Sequence, residues 1–227
     1  SALIVEPMSG SACLVSPPKD YLKRLRAACD LHNILLVFDE VITGFGRVRA
    51  AFAAERYGVT PDIITFAKGV TNGAVPMGGM IVSNEIHEAF MQGPAHAIEL
   101  FHGNTYSGHP LACAAGLASL DLYRDENLFT RARELEPLWA QAAMSLKGLP
   151  NVLDIRPVGM TVGIDLASKP DGVGKRGMEA LDLGFFEHDV MFRAVGDTLA
   201  LSPPLIVTEE QIGEIFDKVG KVIKAVA

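Results

Sequence analysis

Cysteine is scarce and unpatterned in this chain. Cys13, Cys29 and Cys113 form an odd, scattered set, which argues against a disulfide framework and fits a reducing cytoplasm. The six histidines show no metal-ligand spacing. No apolar run approaches the roughly 18 residues that a transmembrane helix needs. Long blocks of like charge are absent, and a net charge of −7 argues against a nucleic-acid surface. The glycine-rich stretch 73–79 lacks any phosphate-loop or dinucleotide pattern, so it implies no nucleotide. The chain opens directly on the strand-like run SALIVE rather than on a methionine, and no signal peptide is expected. What remains is ordinary for a soluble globular protein: 227 residues, 49% hydrophobic and 21% charged, enough for one or two domains.

One stretch, residues 34–73, organises the rest. It reads ILLVFDEVITGFGRVRAAFAAERYGVTPDIITFAKGVTNG. Two short apolar runs each end in a residue that can do chemistry: the first delivers Asp39, the second Lys68. The stretch between them is long enough for a helix and two turns, so the pattern predicts a βαβ unit. Continuous apolar runs suit strands covered on both faces, as in parallel sheets. Ligands of open parallel sheets bind beyond the carboxyl ends of the strands. Asp39 and Lys68 are therefore expected at one edge, facing one crevice.

An acid and an amine placed this way suit pyridoxal phosphate. That cofactor needs a lysine to condense with its aldehyde and often an aspartate for its ring nitrogen. A carboxylate about 4 Å from the protonated nitrogen gains about 4 kcal/mol at an effective dielectric of about 20. That figure corresponds to about three pKa units, enough to keep the ring an electron sink. Lys68, once displaced by a substrate amine, can serve as general base and acid. Gly69 and Gly73 let the backbone turn tightly beside it. On spacing alone a plainer account stays open, in which Asp39 caps a helix and Lys68 is a surface lysine.

The segments VFDEVITGFGR and FAKGVTNGAVPMGG resemble the class III aminotransferases, pyridoxal-phosphate enzymes of fold type I. The likeness continues through EPMSG, HGNTYSGHPLACAAG and FRAVGDTLALSPPLIVTEEQI, and so covers nearly the whole chain. It is strongest toward omega-amino acid (β-alanine):pyruvate aminotransferases. The resemblance implies an aspartate-aminotransferase-like α/β fold, with 1–125 as the C-terminal part of the large cofactor-binding domain and 126–227 as a small α+β domain. It implies that Lys68 is the catalytic lysine and that Asp39, Val41 and Thr105 bind the cofactor. Val41 would pack on the ring face, and Thr105 would hold the phosphate of a neighbouring subunit, making the enzyme a homodimer or higher oligomer. Arg193 would bind the substrate carboxylate, and Glu6 lies near the cofactor in such enzymes. Asn104 departs from the family pattern, which often has a bulkier residue there. Class III enzymes are about twice this long by the same resemblance, so the chain is expected to be the C-terminal half of one.

Several elements follow from pattern. A helix is expected over 19–31, with Leu22, Leu25 and Cys29 on one face. Residues 43–47 read as a flexible turn and 47–57 as helical in composition. Ser83 opens a helix, and Ser107 and Pro110 are good helix-start residues. The following helix, 111–123, is crowded with small side chains. Residues 128–146 read as a long amphipathic helix carrying Trp139, and 92–99 as a loop. Thr208 begins T-E-E-Q, a capping box.

The reading is amino-group transfer from an omega-amino acid or amine to pyruvate by ping-pong half-reactions, in the cytoplasm, without metal, membrane or nucleic acid. Its rivals are other class III enzymes (4-aminobutyrate or ornithine transaminase, glutamate-1-semialdehyde aminomutase) and a non-catalytic dimerising fragment.

Overall fold

The computed structural model of the chain describes residues 1–94, 96–97 and 100–227. The loop expected over 92–99 falls partly outside them. The described chain forms two compact units, one of residues 1–7, 18–45 and 52–127, the other of 8–17, 46–51 and 128–227.

The first unit grows from the two apolar runs. β1 (Ala2–Val5), β2 (Leu35–Asp39) and β3 (Ile63–Phe66) are parallel, and β4 (Gly79–Val82) adds antiparallel to β3. Leu36, Val37 and Phe38 of β2 are buried, as expected for a central strand covered on both faces. α1 (Tyr21–Leu31) packs beside this sheet through Leu22 and Cys29, which join Leu36, Phe38 and Val59 in one apolar cluster that Leu25 flanks. The helix starts at Tyr21 rather than at 19, because Asp20 sits in the left-handed region at φ 61°.

The crossover from β2 to β3 differs from expectation. The helix expected over 47–57 is only α2 (Ala53–Tyr57). Arg49 is left-handed at φ 64° and Phe52 is extended at φ −138° and ψ 156°, and a right-handed helix cannot run through such residues. Alanine-rich composition favoured a helix, and these two residues prevent it. The turn before it is not loose either. Thr43, Gly44 and Phe45 are buried, and Gly44 N–H donates to the Glu40 carbonyl at 2.9 Å. Beyond β4, Ser83 caps α3 (Asn84–Phe90), its hydroxyl accepting the Ile86 N–H. α4 (Pro110–Asp125) begins at the expected proline, with His109 rather than Ser107 at the cap position.

The second unit is an antiparallel sheet ordered β5-β6-β8-β7, from β5 (Val152–Val158), β6 (Thr161–Leu166), β7 (Arg193–Val195) and β8 (Thr198–Leu201). α5 (Leu128–Met144) and α6 (Lys175–Glu187) pack on it, and α7 (Glu209–Ala225) packs on those two helices. Trp139 of α5 is fully buried and meets Phe216 of α7 edge to face, 4.7 Å between centroids. The capping box at Thr208 is present, with the Gln211 N–H donating to its hydroxyl at 3.2 Å and the Gln211 side chain returning to the Thr208 N–H at 2.9 Å. We expect Thr208→Ala to cost about 1 kcal/mol of stability, read as a lower urea midpoint with an unchanged m-value.

Two carboxylates give this unit an acid sensitivity. The Arg156 guanidinium donates to both oxygens of Asp165, and the Thr198 hydroxyl adds a third hydrogen bond. The Arg156 hydrogen bonds outweigh burial and hold Asp165 below the usual carboxylate range. For Asp197, burial pushes upward, but the Gly174 and Gly177 N–H groups and the Ser168 hydroxyl prevail and lower it as well. A folded-state value below the unfolded one means that the unfolded chain binds more protons as pH falls. The stabilisation is therefore full well above about pH 4, the unfolded value, and is lost on acidification below it. The urea midpoint should fall as pH drops through this window, and Asp165→Asn should flatten that dependence.

Candidate active site

β2 and β3 run in the same direction, and Asp39 pairs with Thr65 in register. Asp39 and Lys68 therefore emerge at the same carboxyl edge of neighbouring strands. Glu6 comes one position after Val5, which pairs with Phe38, so it reaches that edge too, half-buried. Asp39 Oδ1 accepts the Val41 N–H at 3.1 Å, a local turn that fixes the carboxylate at the strand end. Its Oδ2 has no hydrogen-bond partner among the described residues. Val41 is half-buried next to it.

Lys68 opens a single 3-10 turn, Lys68–Val70. Its φ is 44°, in the left-handed region, a conformation that costs a non-glycine residue on the order of 1–3 kcal/mol and persists only where the surroundings hold it. The amine is exposed, with no hydrogen bond or ion pair among the described residues. The next residue must be glycine for a steric reason: a Cβ on Gly69 would lie 2.7 Å from Phe45 Cβ.

Glu40, beside Asp39, is fully buried. Its carboxylate accepts the Ala53 N–H (2.5 Å), the Ala54 N–H (2.8 Å) and the Thr43 hydroxyl (2.8 Å). Burial pushes the carboxyl above its ordinary value, against those three hydrogen bonds. In sequence Glu40 is only the neighbour of Asp39. The one signal that could have marked it is its position, an acid one step beyond a buried strand.

Two other expected site residues sit on other elements. Thr105 is exposed in the turn that precedes α4, where Ser107 Oγ accepts the Asn104 N–H at 3.0 Å. Arg193 belongs to the second unit, exposed at the start of β7, paired with Ala200. The first unit thus brings together Asp39, Val41 and Lys68. Among the described residues no helix is long and apolar enough to cross a membrane.

Comparison with known proteins adds the following. Residues 1–223 match the family described as aminotransferase class-III. The omega-aminotransferase of Caulobacter vibrioides is 52% identical over 223 residues, covering 98% of this chain and 51% of the relative. The beta-alanine–pyruvate aminotransferase of Pseudomonas aeruginosa is 47% identical over 229 residues, covering 100% of this chain and 51% of the relative. Among solved structures, a thermostable (S)-enantioselective omega-transaminase from Thermomicrobium roseum matches with a TM-score of 0.91 at 34% identity, over 99% of this chain and 51% of that one. The chain spans about half the length of the relatives it matches.

Proposed function

The chain belongs to the class III aminotransferases and has their type I pyridoxal-phosphate fold, and from that premise we propose that it carries the catalytic lysine of an omega-amino acid:pyruvate aminotransferase. The observation that carries this reading is the pairing of Asp39 with Thr65 on parallel strands, which gives Asp39 and Lys68 one common edge. The names of the two relatives support the amine class and the pyruvate acceptor.

Enzymes of this class use pyridoxal phosphate, and the donor set fits it. An exposed amine without a competing ion pair suits an aldehyde, and a carboxylate with one oxygen unengaged suits a protonated ring nitrogen. When bound, the cofactor supplies the aldehyde that takes the amino group and the ring that accepts an electron pair. Lys68 Nζ would be the amine that holds the aldehyde, and, when free, would take up the proton from the substrate carbon bearing nitrogen. The Asp39 carboxylate would face the ring nitrogen and favour its protonated form. Val41 offers a small apolar wall for the ring face. Thr105 would hold the cofactor phosphate across a homodimer interface, and Arg193 the substrate carboxylate, since a guanidinium matches a carboxylate in two parallel hydrogen bonds.

On the same reading, 1–125 is the later part of the cofactor-binding domain and 126–227 the small domain. Three unpaired cysteines suit a reducing compartment such as the cytoplasm. The test is to mix the chain with pyridoxal phosphate, reduce with borohydride and map the peptides. An adduct on Lys68 is expected, and one on another lysine instead would overturn the assignment. Assays of β-alanine against 4-aminobutyrate, with pyruvate against 2-oxoglutarate, then separate the omega-amino acid reading from its relatives within the class.

A further inference from the structure

The turn that presents Lys68 is weakly held by its own backbone. Val70, Thr71 and Asn72 N–H groups reach the Ala67, Lys68 and Gly69 carbonyls at 3.3, 3.3 and 3.4 Å, all longer than the usual 2.9–3.0 Å. Lys68 and Asn72, at its two ends, are both left-handed, at φ 44° and 51°. Such a turn relaxes unless something outside it holds it.

That outside support comes from α4. The Tyr123 hydroxyl donates to the Gly69 carbonyl at 2.7 Å and lies 3.0 Å from Asn72 Oδ1. One buried hydroxyl thus touches both halves of the turn. Its ring is fixed in turn, buried and stacked on Phe45 with 5.8 Å between centroids and 25° between planes. Phe45 meets Phe66, the last residue of β3, at 5.9 Å, and is the side chain that closes over Gly69.

We propose that Tyr123 is a positioning residue for Lys68, its hydroxyl on the Gly69 carbonyl holding the left-handed turn from which the lysine amine projects. The proposal rests on the reading of Lys68 as the cofactor-binding lysine. It acts through the backbone, so Tyr123 need touch neither substrate nor cofactor.

Tyr123→Phe removes the hydroxyl and keeps the ring stack. Capture of pyridoxal phosphate is followed by borohydride reduction and peptide mapping, with Lys23, exposed on α1, as the reference in the same sample. Capture at Lys68 should slow about two- to tenfold, the range set by one hydrogen bond's net contribution, with Lys23 unchanged. Acetic anhydride, a small reagent with no cradle to enter, should label Lys68 relative to Lys23 equally in both proteins. Amide exchange of Val70, Thr71 and Asn72 should quicken in the variant without cofactor present. Unchanged capture and unchanged exchange would overturn the proposal while leaving the cofactor reading intact. A parallel fall in acetylation and capture would mean general loosening and would overturn it as well. Equal capture at Lys68 and Lys23 in the unaltered protein would instead sink the cofactor reading, and the positioning role with it.

Discussion

Lys68→Ala is expected to yield no borohydride-trapped cofactor at that position. When the chain is joined to the remaining half of the Caulobacter vibrioides relative, the same substitution should lower transamination by about 10²–10⁴-fold, the contribution of a positioned general acid–base. Loss of the covalent anchor adds to that. The physical case is that no neighbouring group can take over. Among the described residues Lys68 has no ion-pair or hydrogen-bond partner, and the carboxylate on the adjoining strand, Asp39, cannot condense with an aldehyde. Lys68→Arg should be equally inactive, because a guanidinium stays protonated at any working pH. It keeps the charge and loses the nucleophile, so it separates chemistry from electrostatics. Turnover within a factor of two of the unaltered protein, in either variant, would rule out the assignment.

Glu40→Ala should cost about 3–5 kcal/mol of stability, because it leaves buried donors without an acceptor and opens a cavity. The two backbone N–H groups at the start of α2 and the Thr43 hydroxyl all depend on this carboxylate. Glu40→Gln should cost less, about 1–3 kcal/mol: its amide oxygen serves one N–H, and its NH2 group opposes the other. The pH dependence distinguishes the two roles of this side chain. Burial raises the folded-state value of Glu40, so the folded chain holds the proton more tightly than the unfolded chain. Its contribution is most favourable below the unfolded value, about pH 4.3, and declines as pH rises through the higher folded value. That sign is opposite to the contribution of Asp165 and Asp197. Glu40→Gln should remove the decline; a variant with the same pH slope as the parent, or Glu40→Ala within 1 kcal/mol of it, would show that the carboxylate is not the node described. Asp39 adjoins this node, so Glu40→Ala should also slow cofactor capture at Lys68.

The strands that carry the candidate site could be read from the chain because their signals are local. β2 and β3 are short apolar runs, each bounded by a chemically distinct residue, and their observed bounds Leu35–Asp39 and Ile63–Phe66 differ little from those runs. The T-E-E-Q box works through residues three positions apart, so Thr208 and Gln211 satisfy each other without help from elsewhere. Family-like motifs spaced along the chain pointed to the class III aminotransferases, and residues 1–223 match that family.

Other features are not local, and composition misjudged them. Residues 47–57 carry alanines and charges that favour a helix, yet Arg49 turns left-handed, Phe52 is extended, and 46–51 belong with the second unit, not with the strands that flank them. The segment 8–17 behaves likewise: Arg156 donates to the Cys13 carbonyl at 3.1 Å across most of the chain's length. Apolar periodicity, capping chemistry and strand limits were set within a few residues of each other, so the order of amino acids specified them. The partners of buried polar groups were set by folding: Glu40 finds Ala53 and Ala54, and the Gly69 carbonyl finds Tyr123. A buried acceptor must be satisfied by whatever donor the packing brings near, and that donor's distance along the chain carries no trace in local pattern.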